Sequence, residues 1–247
     1  MLSANALAKK PEIEKTQTVD CSRESLQEAV DAIKTPATLL VSGVCNEDVT
    51  ITRPDITLSG NVNDAQCNKT NPLATAGGVI NGVLRIERVR SSVAFMEIKG
   101  PGNGIEIADG ASVDVYCNAV HDNDRSGVFV SNGSSATLRD NTVDGNGVLG
   151  VASGNPFNYV DCGVYANSAS AVYSTGNTYK NNDYGAVCVT GRSHFRNGTF
   201  LPRNSGYQPV ASERDTIVER GCTPNSGGCF SSDEGPLAIN VFDGGSV

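Results

Sequence analysis

The chain has 247 residues with 27 glycines, no tryptophan, eight cysteines and a formal net charge of −8, a length that suits one β domain with a sizeable core. The acidic balance excludes nucleic acid as a partner and gives no unaided attraction to other polyanions, and no run is long and apolar enough for a transmembrane segment. The even cysteine count, with no C-x-x-C pair at zinc spacing, points to disulfides formed in an oxidising compartment, extracellular or periplasmic.

Residues 1–20 read as a leader, because MLSANALAKK carries A-N-A and A-L-A ahead of a Lys pair, like the tail of a signal peptide. Residues 21–36 follow as a helix. Leu26, Ala29, Val30 and Ile33 hold one apolar face, Ser22 or Ser25 caps it, Glu28 completes a capping box with Ser25, and Pro36 ends it. Cys21 precedes this helix and Cys45 ends the first strand, so a bridge between them would staple the two and contribute about 3 kcal/mol. From Thr38 the pattern turns to strand in TLLVSGVC, VTI and ITLSG. Residues 61–78 form a polar loop, GVIN and VLRIERV return to alternation, and Val93, Phe95 and Ile98 read as strand positions.

The next stretch repeats. Gly104, Gly127 and Gly150 stand 23 residues apart, each of the first two opening an apolar alternating run, a small polar turn, a second run and then Asn118 or Asn141. Gly163 and Gly185 open two more copies at a spacing of 22, which puts Asn177 and Asn197 in the same file, and a second file runs through Asn123, Asn146 and Asn182. Such Asn residues suit tight bends, where they tolerate the left-handed conformation and bond along the file. A unit this short buries no core alone, so it must stack on its neighbours.

These motifs, G-apolar-x-apolar, a polar turn, an alternating strand and N-T-V, resemble the right-handed parallel β-helix repeats of the pectate-lyase-like superfamily, in particular secreted bacterial β-helix-repeat proteins. The likeness extends over roughly residues 40–200. It implies an all-β, single-domain solenoid with three short parallel sheets per turn and polysaccharide bound along one face. In the resembling proteins a helix like 21–36 plugs the first coil. The expected organisation is therefore an N-terminal cap helix at 21–36, coils at 38–200, and a C-terminal coil and cap at 201–247 that holds a small Cys222–Cys229 disulfide loop. The pairing of Cys67, Cys117, Cys162 and Cys188 stays open.

Alternation assigns faces and hence candidate sites. Val164 and Ala166, and likewise Ala186 and Cys188, are expected to point inward, which leaves Glu106, Phe129, Tyr165 and Val187 as an outward file. Exposed aromatics there suit stacking on sugar rings, or equally packing under a loop. Between Gly147 and Gly163 lies an insertion whose Phe157 and Tyr159 would protrude on a loop over 148–162, and Arg125 lies close in sequence to the bend beside it. Three residues beyond each Asn of the first file come His121, Asp144 and Lys180, an acid/base set on successive coils or a solvated row of alternating charge. Asp122, Asp124 and Asp183, with Asp144, make Ca2+ the one cofactor the sequence offers, although no dedicated loop supports it. The epimerase-like D-P-H-D signature is absent, A-V-H-D at 119–122 being a partial echo. Two functions remain: a β-helix that binds a glycan without catalysis, and a polysaccharide lyase or uronate epimerase that abstracts a proton. Nothing in the chain fixes an oligomeric state.

Overall fold

The structure is a computed structural model that describes residues 15–34, 36–62, 67, 76–147, 162–183 and 185–197, and the backbone of strands at 210–213, 217–220 and 240–242. The chain opens with β1 (Lys15–Asp20), α1 (Leu26–Ala32), β2 (Ala37–Cys45) and β3 (Val49–Ile51). Three-strand coils then succeed one another: β4 (Ile56–Gly60), β5 (Gly78–Asn81) and β6 (Leu84–Glu87); β7 (Arg90–Ala94), β8 (Met96–Gly100) and β9 (Ile105–Ala108); β10 (Ser112–Tyr116), β11 (Ala119–Asn123) and β12 (Val128–Val130). After them come β13 (Ser135–Arg139), β14 (Thr142–Asp144) and β15 (Cys162–Ala166), then β16 (Ala171–Thr175), β17 (Thr178–Lys180) and β18 (Gly185–Val189). The described strands end with β19 (His194–Asn197), β20 (Val210–Glu213), β21 (Ile217–Arg220) and β22 (Asn240–Phe242). Every strand pairs in parallel with its counterparts on adjacent coils, which builds three sheets. Sheet A runs from β1 and β2 through β4, β7, β10, β13, β16 and β19 to β21. Sheet B takes the end of β2 and then β5, β8, β11, β14 and β17; sheet C takes β3, β6, β9, β12, β15, β18, β20 and β22.

Columns of like side chains fill the interior, because parallel in-register stacking puts the same position of each coil about 4.8 Å above the last. In sheet A the column is Leu39, Leu58, Val93, Val115 and Leu138; in sheet C it is Val49, Leu84, Ile105, Val128, Val164 and Val187. Sheet B stacks Ile80, Ile98, Val120 and Val143 and ends in Tyr179, fully buried. On that coil the column of sheet A shrinks from Leu138 to Ser174. The two changes compensate: the small Ser leaves room for the ring, and its hydroxyl lies 2.9 Å from the Tyr179 hydroxyl, which would otherwise be an orphan in the core. Burial also pushes the Tyr179 hydroxyl above its ordinary pKa, so it stays neutral.

Two details of the N-terminal end differ from the sequence reading. Lys15–Asp20, placed there in a leader, is a strand bonded in register onto β2 from Lys15↔Ala37 to Asp20↔Ser42, because it covers an edge that would otherwise be left open. Ser25 does cap α1, accepting from Glu28 N at 3.2 Å. The carboxylate that completes the cap is Glu47 rather than Glu28: it accepts from Leu26 N and from Ser25 Oγ, each at 2.7 Å. Leu26, Ala29 and Val30 close the end of the core. Cys21–Cys45 is bridged as expected, and Cys67–Cys117 and Cys162–Cys188 are the other two bridges among the described residues. Cys222 and Cys229 lie outside those residues.

The corners are tight. After sheet A one left-handed residue turns the chain, Cys117, Asp140 or Gly176, and the Asn follows it; after sheet B the turning residue is Asp122, Gly145 or Asn181. The Asn residues themselves are not left-handed, contrary to the sequence expectation, and their work is done by the side chain. Asn118 Nδ2 donates to Asn141 Oδ1 at 3.0 Å and Asn141 Nδ2 to Asn177 Oδ1 at 2.8 Å; Asn123, Asn146 and Asn182 repeat this at 2.7 and 2.8 Å. Phe95, read as a strand position, is also a left-handed corner, with φ 54.

The phase of the last copies also differs. Val164 pairs with Val187 and Tyr165 with Cys188, so Gly163 stands over Ala186 rather than Gly185, and the spacing there is 23. Val187 therefore points inward and Cys188 outward, the reverse of the expectation, and Asn197 stands opposite Ser174 instead of joining the Asn file. The cause is that β15 and β18 are buried on both faces, which erases the alternation that fixes phase.

Candidate functional site

The second sheet carries the residues with chemistry. His121, Asp144 and Lys180 lie directly opposite one another on β11, β14 and β17, as their spacing predicts. On the side of the preceding coil the row is distorted. Val120 pairs with Ile98 and Asn123 with Gly100, so His121 and Asp122 together face the single residue Lys99. This bulge, with Asp122 at φ 52, turns the imidazole back towards β8.

The resulting contacts form a chain of ions. His121 Nδ1 lies 2.8 Å from Asp122 Oδ2, and Nε2 lies 3.3 Å from Glu97 Oε1. Glu97 is held in turn by Lys99 Nζ at 2.6 Å. Further along, Lys180 Nζ reaches Asp144 Oδ2 at 3.0 Å, and Asn181 Nδ2 donates to Asp144 Oδ1 at 2.9 Å. His121 and Glu97 are sunk to 15% and 17% side-chain exposure, whereas Lys180 keeps 50% and Asp122 73%. The Nε2 atom is buried and, although near Glu97, is not aimed for a hydrogen bond. Here Asp122 takes the aligned contact.

Glu97 and Lys99 escaped the sequence reading because the clean repeat begins only at Gly104; one coil back from His121 the spacing lands beside them. Asp124 and Arg125 sit on the bend after β11, where their amides donate to Gly100 O at 3.2 Å and Gly102 O at 2.9 Å. Asp183 occupies the equivalent bend, its amide on Asn146 O at 2.8 Å, and burial pushes its carboxyl above the ordinary range. Among the described residues no three His, Cys, Asp or Glu side chains gather closely enough to hold a metal ion.

The outward file of sheet C holds Glu106, Phe129 and Tyr165 as expected, with Cys188 rather than Val187 following them. Arg85, Glu106, Phe129 and Tyr165 follow one another in register. Arg85 Nε pairs with Glu106 Oε2 at 2.7 Å, Asn103 Nδ2 donates to Glu106 Oε1 at 2.8 Å, and the Phe129 and Tyr165 rings lie 5.3 Å apart. The Glu106 contact is the main reason the Arg85 guanidinium is held above its ordinary pKa. Tyr165, however, is only 7% exposed, with its hydroxyl 3.1 Å from Thr190 Oγ1. It offers no open ring to a sugar, which leaves Phe129 as the accessible aromatic of the file. Phe157, Tyr159 and the expected loop around them lie outside the described residues.

Residues 81–200 match the family model described as "Right handed beta helix region". The protein is thus an all-β, right-handed parallel β-helix, the architecture its repeats suggest. Among solved structures it is similar to the crystal structure of alginate lyase from Paenibacillus sp. str. FPU-7, at 14% identity and a TM-score of 0.50, with 83% of this chain and 75% of that chain covered. At that identity the likeness is one of fold, and one fold hosts many functions. A comparison with curated proteins finds no match.

Proposed function

We propose that this is a secreted β-helix that binds an extended polysaccharide along the face where sheets B and C meet. The observation that carries the reading is the register of His121, Asp144 and Lys180, extended by Glu97 and Lys99 into a row of fixed donors and acceptors. Such a row suits a glycan, whose hydroxyls need donors and acceptors at regular intervals, and Phe129 adds an apolar surface for a ring face. The disulfides and the likeness to an alginate lyase agree with a secreted, glycan-related role. Binding is favoured over turnover because each candidate catalytic group already has a charged neighbour: His121 lies between carboxylates, and Lys180 is held by Asp144.

Affinity electrophoresis in gels containing polyuronate tests this. His121→Ala and Lys180→Ala should each weaken retention about tenfold, and Lys180→Ala, whose ammonium is half exposed, should leave the melting temperature almost unchanged. Undiminished retention of the double variant would reduce the row to solvated surface. One observation favours a second reading, a lyase or uronate epimerase: the bulge at His121 and the unbonded Nε2 are what a base awaiting a substrate proton would show. Incubation with uronate polymers, with and without Ca2+, decides it by unsaturated product absorbing near roughly 235 nm or by epimerised residues. The two calcium conditions also test whether Asp122, Asp124 and Asp183 recruit the ion.

A further inference from the structure

Asn–Gly is a dipeptide that can modify itself. The glycine nitrogen, unhindered by a side chain, attacks Cγ of the preceding Asn; the new C–N bond closes a succinimide ring as Nδ2 leaves in ammonia, and water then opens the ring to aspartate or isoaspartate. The chain holds five such pairs, and four of them, Asn81–Gly82, Asn103–Gly104, Asn132–Gly133 and Asn146–Gly147, lie among the described residues. Exposure divides them: Asn81 and Asn132 are open to solvent, whereas Asn103 and Asn146 are buried, at 6% and 1%. One bond nevertheless recurs at all four. Each glycine N–H donates to a carbonyl of an adjacent coil, Gly82 to Lys99 O, Gly133 to Ser168 O and Gly147 to Asn123 O at 2.9 Å, and Gly104 to Ser126 O at 3.0 Å. The two described Asp–Gly pairs, which close the same ring by losing water, follow suit: Gly110 donates to Asn132 O at 3.0 Å and Gly145 to Lys180 O at 3.1 Å. The side-chain amides are held as well, Asn81 Nδ2 by Asn46 Oδ1 and Asn132 Nδ2 by Asp109 Oδ1, both at 2.9 Å.

We infer that these pairs are self-modification sites kept shut by the stack, and that the parting of neighbouring coils, not solvent exposure, sets the rate at which they convert. The attacking nitrogen must give up its N–H and swing over Cγ, and each inter-coil bond opposes both movements. Such a bond opens only when its coil separates from the next, in a local or larger unfolding event. Water around an exposed pair such as Asn132–Gly133 therefore does not hasten its reaction. Opening is then recorded by a one-way step, as Asn146 illustrates. Its Nδ2 donates to Asn182 Oδ1 at 2.8 Å and to Val120 O at 3.2 Å. An aspartate there has no N–H to give, which leaves both acceptors buried and unpaired, and an isoaspartate also lengthens the backbone. Coils that have parted and converted at this position restack poorly, so the bonds that hold the stack together also time its loss.

The test incubates the full chain at mildly alkaline pH, native and unfolded in denaturant, beside the free peptide of residues 131–135. Peptide mapping by mass spectrometry follows conversion at Asn81, Asn103, Asn132 and Asn146, and hydrogen exchange of the native chain follows the amides of Gly82, Gly104, Gly133 and Gly147. All four sites should convert at least tenfold more slowly in the native chain than in the unfolded one, and their native order should be the order in which the glycine amides exchange. Conversion of Asn132 in the native chain as fast as in the free peptide would overturn the inference. So would faster conversion at Asn81 and Asn132 than at Asn103 and Asn146 without faster exchange of their glycine amides. A variant separates the backbone bond from the side-chain one. Asp109→Ser frees the Asn132 amide but keeps the Gly133 bond, and serine is tolerated at such a corner, as Ser168 with φ 55 shows. Its Asn132 should convert within about twofold of the parental rate; acceleration to the unfolded rate, with Gly133 still protected from exchange, would assign the protection to the side chain and remove this account.

Discussion

Asn141 shows how much a single side chain carries in this fold. Its Oδ1 accepts from both the backbone N–H and the Nδ2 of Asn118 at 3.0 Å, while its Nδ2 donates to Val115 O and to Asn177 Oδ1 at 2.8 Å. One amide therefore ties three coils together, and all of its partners are buried. Asn141→Leu removes these bonds and leaves the partners unsatisfied, so the variant should lose about 1–3 kcal/mol of stability, read from the denaturant midpoint. An unchanged midpoint would mean that water replaces the amide. Isolated carboxyls should report their surroundings as clearly. Hydrogen bonds from Asn132 and then Arg88 hold Asp109 below the ordinary carboxylate pKa, whereas burial raises Asp183. The contribution of Asp109 is thus present above its unfolded pKa and lost as pH falls through the depressed folded value. Asp183 has the opposite sign: stability is fullest below its unfolded pKa and falls as pH rises through the raised folded value. Carboxyl NMR titration should find Asp109 titrating below Asp183; the reverse order would contradict the geometry at both corners.

At the scale of the coil, the glycines at its start are required by close approach rather than by turn conformation. A Cβ on Gly127 would sit 2.8 Å from Gly163 O, Asn146 Nδ2 and Val143 Cγ1, and Gly104 is confined in the same way by Gly127 O and Asn123 Nδ2. The glycine column and the second Asn file are one device: the backbone of sheet C comes so near the stacked amides that no methyl fits. Gly127→Ala should therefore cost about 1–3 kcal/mol by overpacking, visible as a lowered thermal midpoint, while Gly133→Ala, at an open corner, costs only the strain of φ 71. This pairing was half legible in the sequence. The 23-residue period and both Asn files stand out because polar turns punctuate them, and the apolar triplets GIEI and GVFV fix phase by alternation. The later copies do not, since CGVYA and GAVCV are apolar at every position and two glycines compete for the coil start. Burial of Tyr165 was likewise hidden: alternation says which way a side chain points, not what covers it. The role of Glu97 came from a bulge, a register event that no residue type announces.

The whole molecule is a stack whose ends and faces serve different purposes. The N-terminal end is closed by α1, by β1 and by Cys21–Cys45, and opening that bridge with Cys21→Ser/Cys45→Ser should remove about 3 kcal/mol through the freed loop. Differential scanning calorimetry checks this, and an unaltered midpoint would show that β1 and Glu47 hold the cap unaided. The long faces, in contrast, carry less of the stability, because cations such as Lys99 and Lys180 are 40% and 50% exposed in their pairs with Glu97 and Asp144. They are therefore where function can reside without loosening the core, and the account turns on which face a glycan touches. Chemical-shift mapping of the isotopically labelled full chain during titration with an oligouronate measures this directly. Shifts concentrated in β8, β11, β14 and β17, centred on Glu97, His121, Asp144 and Lys180, are the predicted result. A titration that leaves those strands unmoved would contradict it.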